Sequence, residues 1–465
     1  MEEGMTQVIY DVIVLGGGAG GVPAAIRAAQ LGGKVAIIEH GNLGGLCMNR
    51  GCVPFGHMMV ASKILGSISL GKEMGLDFSP VSKDYTSLIK RQNELIAFMR
   101  QGVLGVLKKN NVDLVEARGR VTGKGRIEVN GEDLQCKSII LASGAGWLKP
   151  DFPGADLKGV INSDELLNMP KLPGKILLYG RSPWLIEIAQ FLHSFDSEVI
   201  LATEEKSILP HENKTIRTRL STTLKDQGIK ILTSTEITGL KTKKDGLHAA
   251  LSRKGKQERV IVDRVMGLRR GASLKGLGLD TIGLDEKAEF IQVDERMATN
   301  VEGIFAIGDI AAPEKGHYSH LASSGGIVAA ENAMGMQTFF DHRTIARVLF
   351  TQPQVACVGL ASRDAKKAGY DVITGAAPLS MNPFGMLTSQ NNGIVEIVAE
   401  KKYGEILGIH IIGEGACDMA GQAILAIQME ATLEELTRAP FPHPTLSESL
   451  VEAARECLGR PIFLP

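Results

Sequence analysis

Residues 11–39 read DVIVLGGGAGGVPAAIRAAQLGGKVAIIE. The short apolar run at the start suits a buried parallel strand, the middle carries apolar residues at helical spacing, and a second apolar run closes the segment. Between strand and helix lies Gly16-x-Gly18-x-x-Gly21, and Glu39 ends the second strand. The first glycine permits a sharp turn, the second lets a pyrophosphate approach the backbone, and the third lets the helix pack close to the strand. The helix N-terminus stabilises the anion, and Glu39 can accept hydrogen bonds from a ribose. Glycines at this spacing alone are a weak signal. With strand, helix and acid all in place they predict a dinucleotide-type site.

The pattern occurs twice. Residues 175–203, KILLYGRSPWLIEIAQFLHSFDSEVILAT, repeat the rhythm with Gly180 where Gly16 stands, an offset of 180 − 16 = 164. Two βαβ units at this distance predict two nucleotide-binding-type domains. After them, from about Arg343, strand-like runs (QVACVG, GIVEIVAE, ILGIHIIG) alternate with helical stretches at Met419–Ala439 and Leu446–Leu458. The expected architecture is α/β: two Rossmann-like domains and a C-terminal α+β domain. The expected boundaries are 1–150 and 273–342 for the first nucleotide domain, 151–272 for the second, and 343–465 for the last. Between the repeats, Tyr85–Lys109 reads as a long amphipathic helix and SIILASGA, residues 138–145, as a buried strand ending in a small-residue turn.

Following Glu39 comes Gly44-Gly-Leu-Cys47-Met-Asn-Arg-Gly-Cys52-Val-Pro54. Five residues along an ideal helix would put the two Cα atoms roughly 8.6 Å apart. A disulfide wants about 4.4–6.8 Å, so a bent backbone is required, and Gly51 and Pro54 are residues suited to a bend. A helix beginning after the glycines lowers a thiol pKa and favours the thiolate that carries exchange chemistry. Two unrelated buried cysteines or half a zinc site are the alternatives. Zinc is disfavoured because no second closely spaced Cys/His pair appears, and no metal site is expected.

Bulk properties narrow the class further. The chain has 465 residues, enough for about three domains. Its net charge of −1 suggests neither a nucleic-acid surface nor an anionic membrane partner. The acidic start, MEEGMTQ, lacks a basic region followed by an apolar run, and no apolar stretch reaches the ~20 residues that cross a bilayer. A cytoplasmic protein is expected. Six cysteines in this length are no disulfide framework, so the Cys47/Cys52 pair is the one that calls for a chemical explanation.

Taken together, these motifs resemble the class I pyridine nucleotide–disulfide oxidoreductases, and among them most nearly the dihydrolipoamide dehydrogenases. The resemblance runs from about Val8 to Cys457. It implies FAD on the first repeat, a redox-active Cys47–Cys52 disulfide beside the flavin, and NAD on the second repeat. Cys47 would exchange with a dithiol substrate, such as a lipoyl-bearing protein, and Cys52 would make the charge-transfer contact with flavin. The Gly-Asp of GIFAIGD would bring Asp309 to the ribityl chain, and Ser143-Gly144-Ala145 would close over the FAD pyrophosphate. Near the end, Phe441-Pro-His443-Pro-Thr-Leu-Ser-Glu448 resembles the family's motif in which a histidine reaches across a homodimer interface to the exchange cysteine. Glu448 would orient that ring, although Thr445-x-x-Glu448 also reads as a capping box.

Two positions depart from the family pattern. In the second repeat, Gly18 and Gly21 correspond to Ser182 and Leu185, Pro183 removes an amide donor, and Thr203 stands where Glu39 does. The lysine usually found four residues after the second cysteine is Gly56, while Glu187 matches its glutamate partner; His57 or Arg50 are the nearby candidates to replace the charge. Conventional NAD binding is therefore in question, and two alternatives to a dihydrolipoamide dehydrogenase-like enzyme stay open. One is a disulfide reductase with another electron partner. The other is a low-turnover, flavin-bearing redox sensor or complex component.

Overall fold

The computed structural model describes residues 9–311 and 316–465; the acidic start read above for a leader lies outside them. The chain divides into two compact units. The first comprises residues 1–55, 86–148 and 269–340, the second 56–85, 149–268 and 341–465.

The first unit is built on the sheet that residues 11–39 predict. Its strands run in the order Asp113–Val115, Val35–Ile38, Ile9–Leu15, Glu132–Leu141, Arg126–Val129, Gly119–Gly123. The strand Ile9–Leu15 is parallel to both neighbours, with Val12 opposite Val35 and Ser138. Glu132–Leu141 forks: its first half pairs antiparallel with Arg126–Val129, and its last residues pair in parallel with Ile304–Ala306. Val12, Ile13 and Val14 are fully buried, so both faces of this strand are covered, as a continuous apolar run requires. The helix Gly21–Gln30 presents Ala24, Ala25 and Ala28 to the core that holds Ala329 and Ala330 of the helix Ser319–Ala333. These small side chains let the two helices approach closely: a Cβ at Gly20 would lie 2.9 Å from the Ala322 carbonyl.

The second unit holds the other repeat as a parallel sheet ordered Lys230–Leu232, Glu198–Ala202, Lys175–Tyr179, Arg264–Gly267, Val160–Ile161. A three-stranded antiparallel sheet, Thr235–Lys243, Gly246–Arg253 and Lys256–Val262, lies beside it. The C-terminal domain is an antiparallel sheet of five strands backed by the helices Ala416–Gln428 and Glu448–Cys457. Polar contacts join this sheet to the second repeat. Arg347 meets Glu212 at 2.7 Å, Asn213 donates to Glu396, and Gln190 accepts from the Gln352 amide at 2.6 Å. Among the described residues no helix is long and apolar enough to cross a membrane.

The sequence reading needs amendment in one stretch of helix. The run expected at Met419–Ala439 is two helices, Ala416–Gln428 and Leu433–Arg438. Glu430 sits at φ +52°, a left-handed conformation that ends the first, and Thr432 with Glu435 forms a capping box that starts the second. The long helix Tyr85–Lys109 has the expected limits.

Candidate active site

The first repeat's turn is shaped as a cradle. Gly16 adopts φ +114°, and a Cβ there would run into the Ala142 carbonyl. The third glycine is equally constrained, since a Cβ on Gly21 would collide with the Gly16 carbonyl. Glu39 fixes the acid side of the turn: its carboxylate accepts from the Gly17 amide at 2.7 Å and the Gly41 amide at 2.6 Å. On the other side, Ser143 Oγ donates to the Ser273 carbonyl, and the Ser273 amide donates to the Gly144 carbonyl, both at 2.9 Å. Ala145 then pairs with Ala272 in the short ribbon that leaves the domain. Gly16, Gly18, Gly21, Glu39 and the Ser143–Ala145 turn are thus brought to one end of one sheet, where the loops at the strand C-termini form a ligand crevice.

The cysteines join the same place through Gly45. A Cβ on Gly45 would come 2.7 Å from Gly18 Cα, so the two glycine turns touch backbone to backbone. Gly45 opens the helix Gly45–Arg50, which carries Cys47. That helix stops at Gly51, whose φ of −128° and ψ of −113° lie outside the helical region, and a new helix begins at Cys52. The bend required for a disulfide is therefore made at Gly51; Pro54 lies inside the first turn of the second helix, where its missing N–H costs nothing. Both cysteines are free thiols here.

The two sulfurs are hydrogen-bonded to each other. The hydrogen bond with Cys52 is the main cause that brings Cys47 down to about 7, against burial, with help from Ser319. The same hydrogen bond and burial push Cys52 well up. Ser319, at the start of its helix, places Oγ 3.1 Å from Cys52 Sγ. One negative charge on the pair near neutral pH is the state a thiol-exchange site needs.

Asp309 lies in a tight turn just after the strand Ile304–Ala306. Burial raises its carboxyl, but His317, 3.2 Å away, and Arg270, 3.1 Å away, outweigh it and hold Asp309 below the usual carboxylate range. Arg270 also lies over the Trp147 ring, 5.8 Å from its centroid. Three site residues, Arg270, His317 and Ser319, are absent from the sequence reading. The signal for the last two is position: GHYSH, residues 316–320, closely follows Gly308-Asp309 in the sequence.

His443 and Glu448 belong to the second unit. His443 Nδ1 lies 2.9 Å from Glu448 Oε1, while Glu448 Oε2 accepts from the Thr445 amide at 2.9 Å. Glu448 therefore serves both roles that the sequence left open. The capping box is half formed, because Thr445 Oγ1 turns back to the Pro442 carbonyl and the helix begins at Glu448. A carboxylate only accepts, so it holds the proton on Nδ1 and leaves Nε2 as the basic nitrogen. Glu187 accepts from the Phe350 amide at 2.8 Å, and a Cβ at Gly56 would meet nothing within 4 Å.

The residues of the first repeat fit FAD: the backbone-lined turn, the anchored Glu39 and the Ser143–Gly144 loop form a cradle that side chains would fill. Those of the second repeat do not fit NAD. Gly180 is in place at φ +137°, but Pro183 has no amide. The Leu185 amide donates to the Ser182 carbonyl at 3.1 Å, and Ser182 and Leu185 carry side chains where the first repeat has Gly18 and Gly21.

Comparison with known proteins covers both repeats and the C-terminal domain. Residues 10–336 match the model of the pyridine nucleotide-disulphide oxidoreductases, and residues 345–454 that of their dimerisation domain. The chain is 36% identical to dihydrolipoyl dehydrogenase of Thermus scotoductus, covering 96% of each sequence. It is 32% identical to dihydrolipoyl dehydrogenase of Bacillus subtilis, over 97% of this chain and 99% of that one. A leghemoglobin reductase of Glycine max is 31% identical over 97% of this chain and 88% of the relative.

Proposed function

We propose, from the premise that this chain belongs to the pyridine nucleotide-disulphide oxidoreductase family and is an FAD-dependent disulfide oxidoreductase resembling dihydrolipoyl dehydrogenase, that its substrate is a lipoyl dithiol oxidised at Cys47. The observation that carries this reading is the Cys47–Cys52 pair itself: two thiols set at a helix break, hydrogen-bonded to each other, against the glycine turn of the first repeat.

In the oxidised pair, a substrate thiolate attacks Cys47 Sγ. The Cys47–Cys52 bond breaks, a mixed disulfide to Cys47 forms, and Cys52 leaves as thiolate. The second substrate thiol then attacks the substrate sulfur of that mixed disulfide, closing the cyclic disulfide product and releasing Cys47. Two electrons now reside on the cysteine pair. Of the two substrate protons, one stays on the cysteine pair and one goes to Nε2 of His443 of the partner subunit, the nitrogen left without a proton when Glu448 accepts from Nδ1. FAD supplies the two-electron acceptor for the reduced pair. Gly16, Gly18, Gly21, Glu39, Ser143, Gly144, Ala145 and Asp309 are the residues we assign to holding it. The working protein is a cytoplasmic homodimer, with the segments 1–150 and 273–342 as FAD domain, 151–272 as the NAD-like domain and 343–465 as interface.

The test is subunit complementation. Neither Cys47→Ser nor His443→Ala alone should oxidise dihydrolipoamide. Mixed dimers of the two contain one site with both residues intact if the histidine acts in trans, and should recover turnover. No recovery in dimers verified to be mixed would mean that the histidine acts within its own chain or not at all.

A further inference from the structure

The second βαβ unit has a carboxylate at the end of its second strand, shifted by one residue from the position of Glu39. Glu204 follows Thr203, and one of its oxygens accepts from the Tyr179 hydroxyl at 2.6 Å. The other is held by Arg181 Nη2 at 3.1 Å, and Arg181 Nε reaches Glu205 at 3.2 Å. Arg181 stands where the first repeat has Gly17, since 181 − 164 = 17. At Gly17 a backbone amide reaches Glu39, and a Cβ would already lie 3.2 Å from the Glu39 stem. In the second repeat the side chain at this point of the turn reaches the two acids at the strand end.

A ribose offers that acid two adjacent O–H donors. A guanidinium offers two adjacent N–H donors in a fixed plane, with a full positive charge. We propose that Arg181 is a built-in occupant of the adenosine-ribose position, a specificity-determining residue that closes the second nucleotide-type site to an unphosphorylated adenine dinucleotide. The cleft around it is consistent with closure. Arg181 lines it together with Gly180, Ser182, Thr203 and Ser207.

The inference rests on the reading of the chain as a flavin dithiol oxidoreductase, but its test is separate. The probe is 5′-AMP, which carries the ribose diol and no nicotinamide, titrated calorimetrically into the flavin-loaded protein. Because Arg181 is 67% exposed, solvent screens its ion pairs, and the expected effect is modest. Arg181→Ala should bind 5′-AMP about five- to tenfold more tightly than the parent, with flavin content unchanged. Glu205→Gln, which removes one half of the clasp and leaves Glu204 in place, should move affinity the same way by less. Equal affinity in all three proteins would overturn the proposal. So would tighter binding of adenosine 2′,5′-bisphosphate to the parent that is lost in Arg181→Ala, since Arg181 would then be a phosphate ligand. Bleaching of the flavin by dihydrolipoamide in each protein reads the Cys47 site independently, so a failure of the functional reading is visible apart from this one.

Discussion

Replacing Glu448 by Gln tests the proton path without disturbing the backbone around it. The amide oxygen can keep the Thr445 N–H, now held at 2.9 Å, so the start of the last helix should stay intact. The amide nitrogen then faces His443 Nδ1, which is 2.9 Å from the carboxylate in the parent. An NH₂ group donates, which favours the tautomer with the proton on Nε2 and removes the basic nitrogen from the side that meets substrate. The whole contribution of a positioned acid–base group is about 10²- to 10⁴-fold. Because the histidine ring is 66% exposed and can turn, only part of this should be lost. We expect about a 10- to 100-fold fall in the rate of flavin bleaching by dihydrolipoamide, measured anaerobically in a single turnover so that no later electron acceptor enters. Glu448→Asp should recover part of the rate if its shorter side chain still reaches the ring. A Glu448→Gln protein that bleaches at the parental rate would refute the role given to this pair.

Two further outcomes follow from the same geometry. In the dithiol form, Cys47 is held down to about 7, so its thiolate is present above that pH and lost below it. Alkylation of Cys47 by iodoacetamide should level off above pH 7 and fall about tenfold per unit below it; a rate still climbing towards pH 9 would contradict the stabilising hydrogen bond from Cys52. Elsewhere, Arg347→Met strands the Glu212 carboxylate, which is only 10% exposed. Breaking a buried pair costs about 3–5 kcal/mol and partial exposure of the arginine lowers this to about 2–3. The thermal midpoint should drop while flavin bleaching at room temperature is preserved, and an unchanged midpoint would show the pair to be inert.

What sequence alone could reveal depended on distance along the chain. The strand, turn, helix and acid of residues 11–39 are local, each set by neighbours within a few residues, and they fold as their periodicity predicts. Likewise the spacing of Cys47 and Cys52 demanded a bend, and the chain bends at Gly51. The break in the expected helix Met419–Ala439 was missed because Ala431 and Thr432 do not interrupt the apolar rhythm; the signal lay in the Thr432–Glu435 capping box. Ser319 could not be paired with Cys52 from sequence, since 267 residues separate them and the contact depends on small residues that bring two helices together. Arg181 carries no signal in the sequence, because it falls on an unspecified position of the glycine pattern. That its side chain takes up the neighbouring acids needed coordinates, because Glu204 sits one place beyond the position at which the family pattern looks for an acid.

The central claim is that Cys47 and Cys52 form the working redox couple between a dithiol and the flavin. Its most direct test is an anaerobic titration of the flavin-loaded protein with dihydrolipoamide, run beside Cys47→Ser and followed by absorbance. The account predicts that the parental flavin spectrum changes at about one equivalent of dithiol per subunit and that Cys47→Ser, with its flavin still bound, does not respond. A Cys47→Ser protein that is reduced as readily as the parent would contradict it.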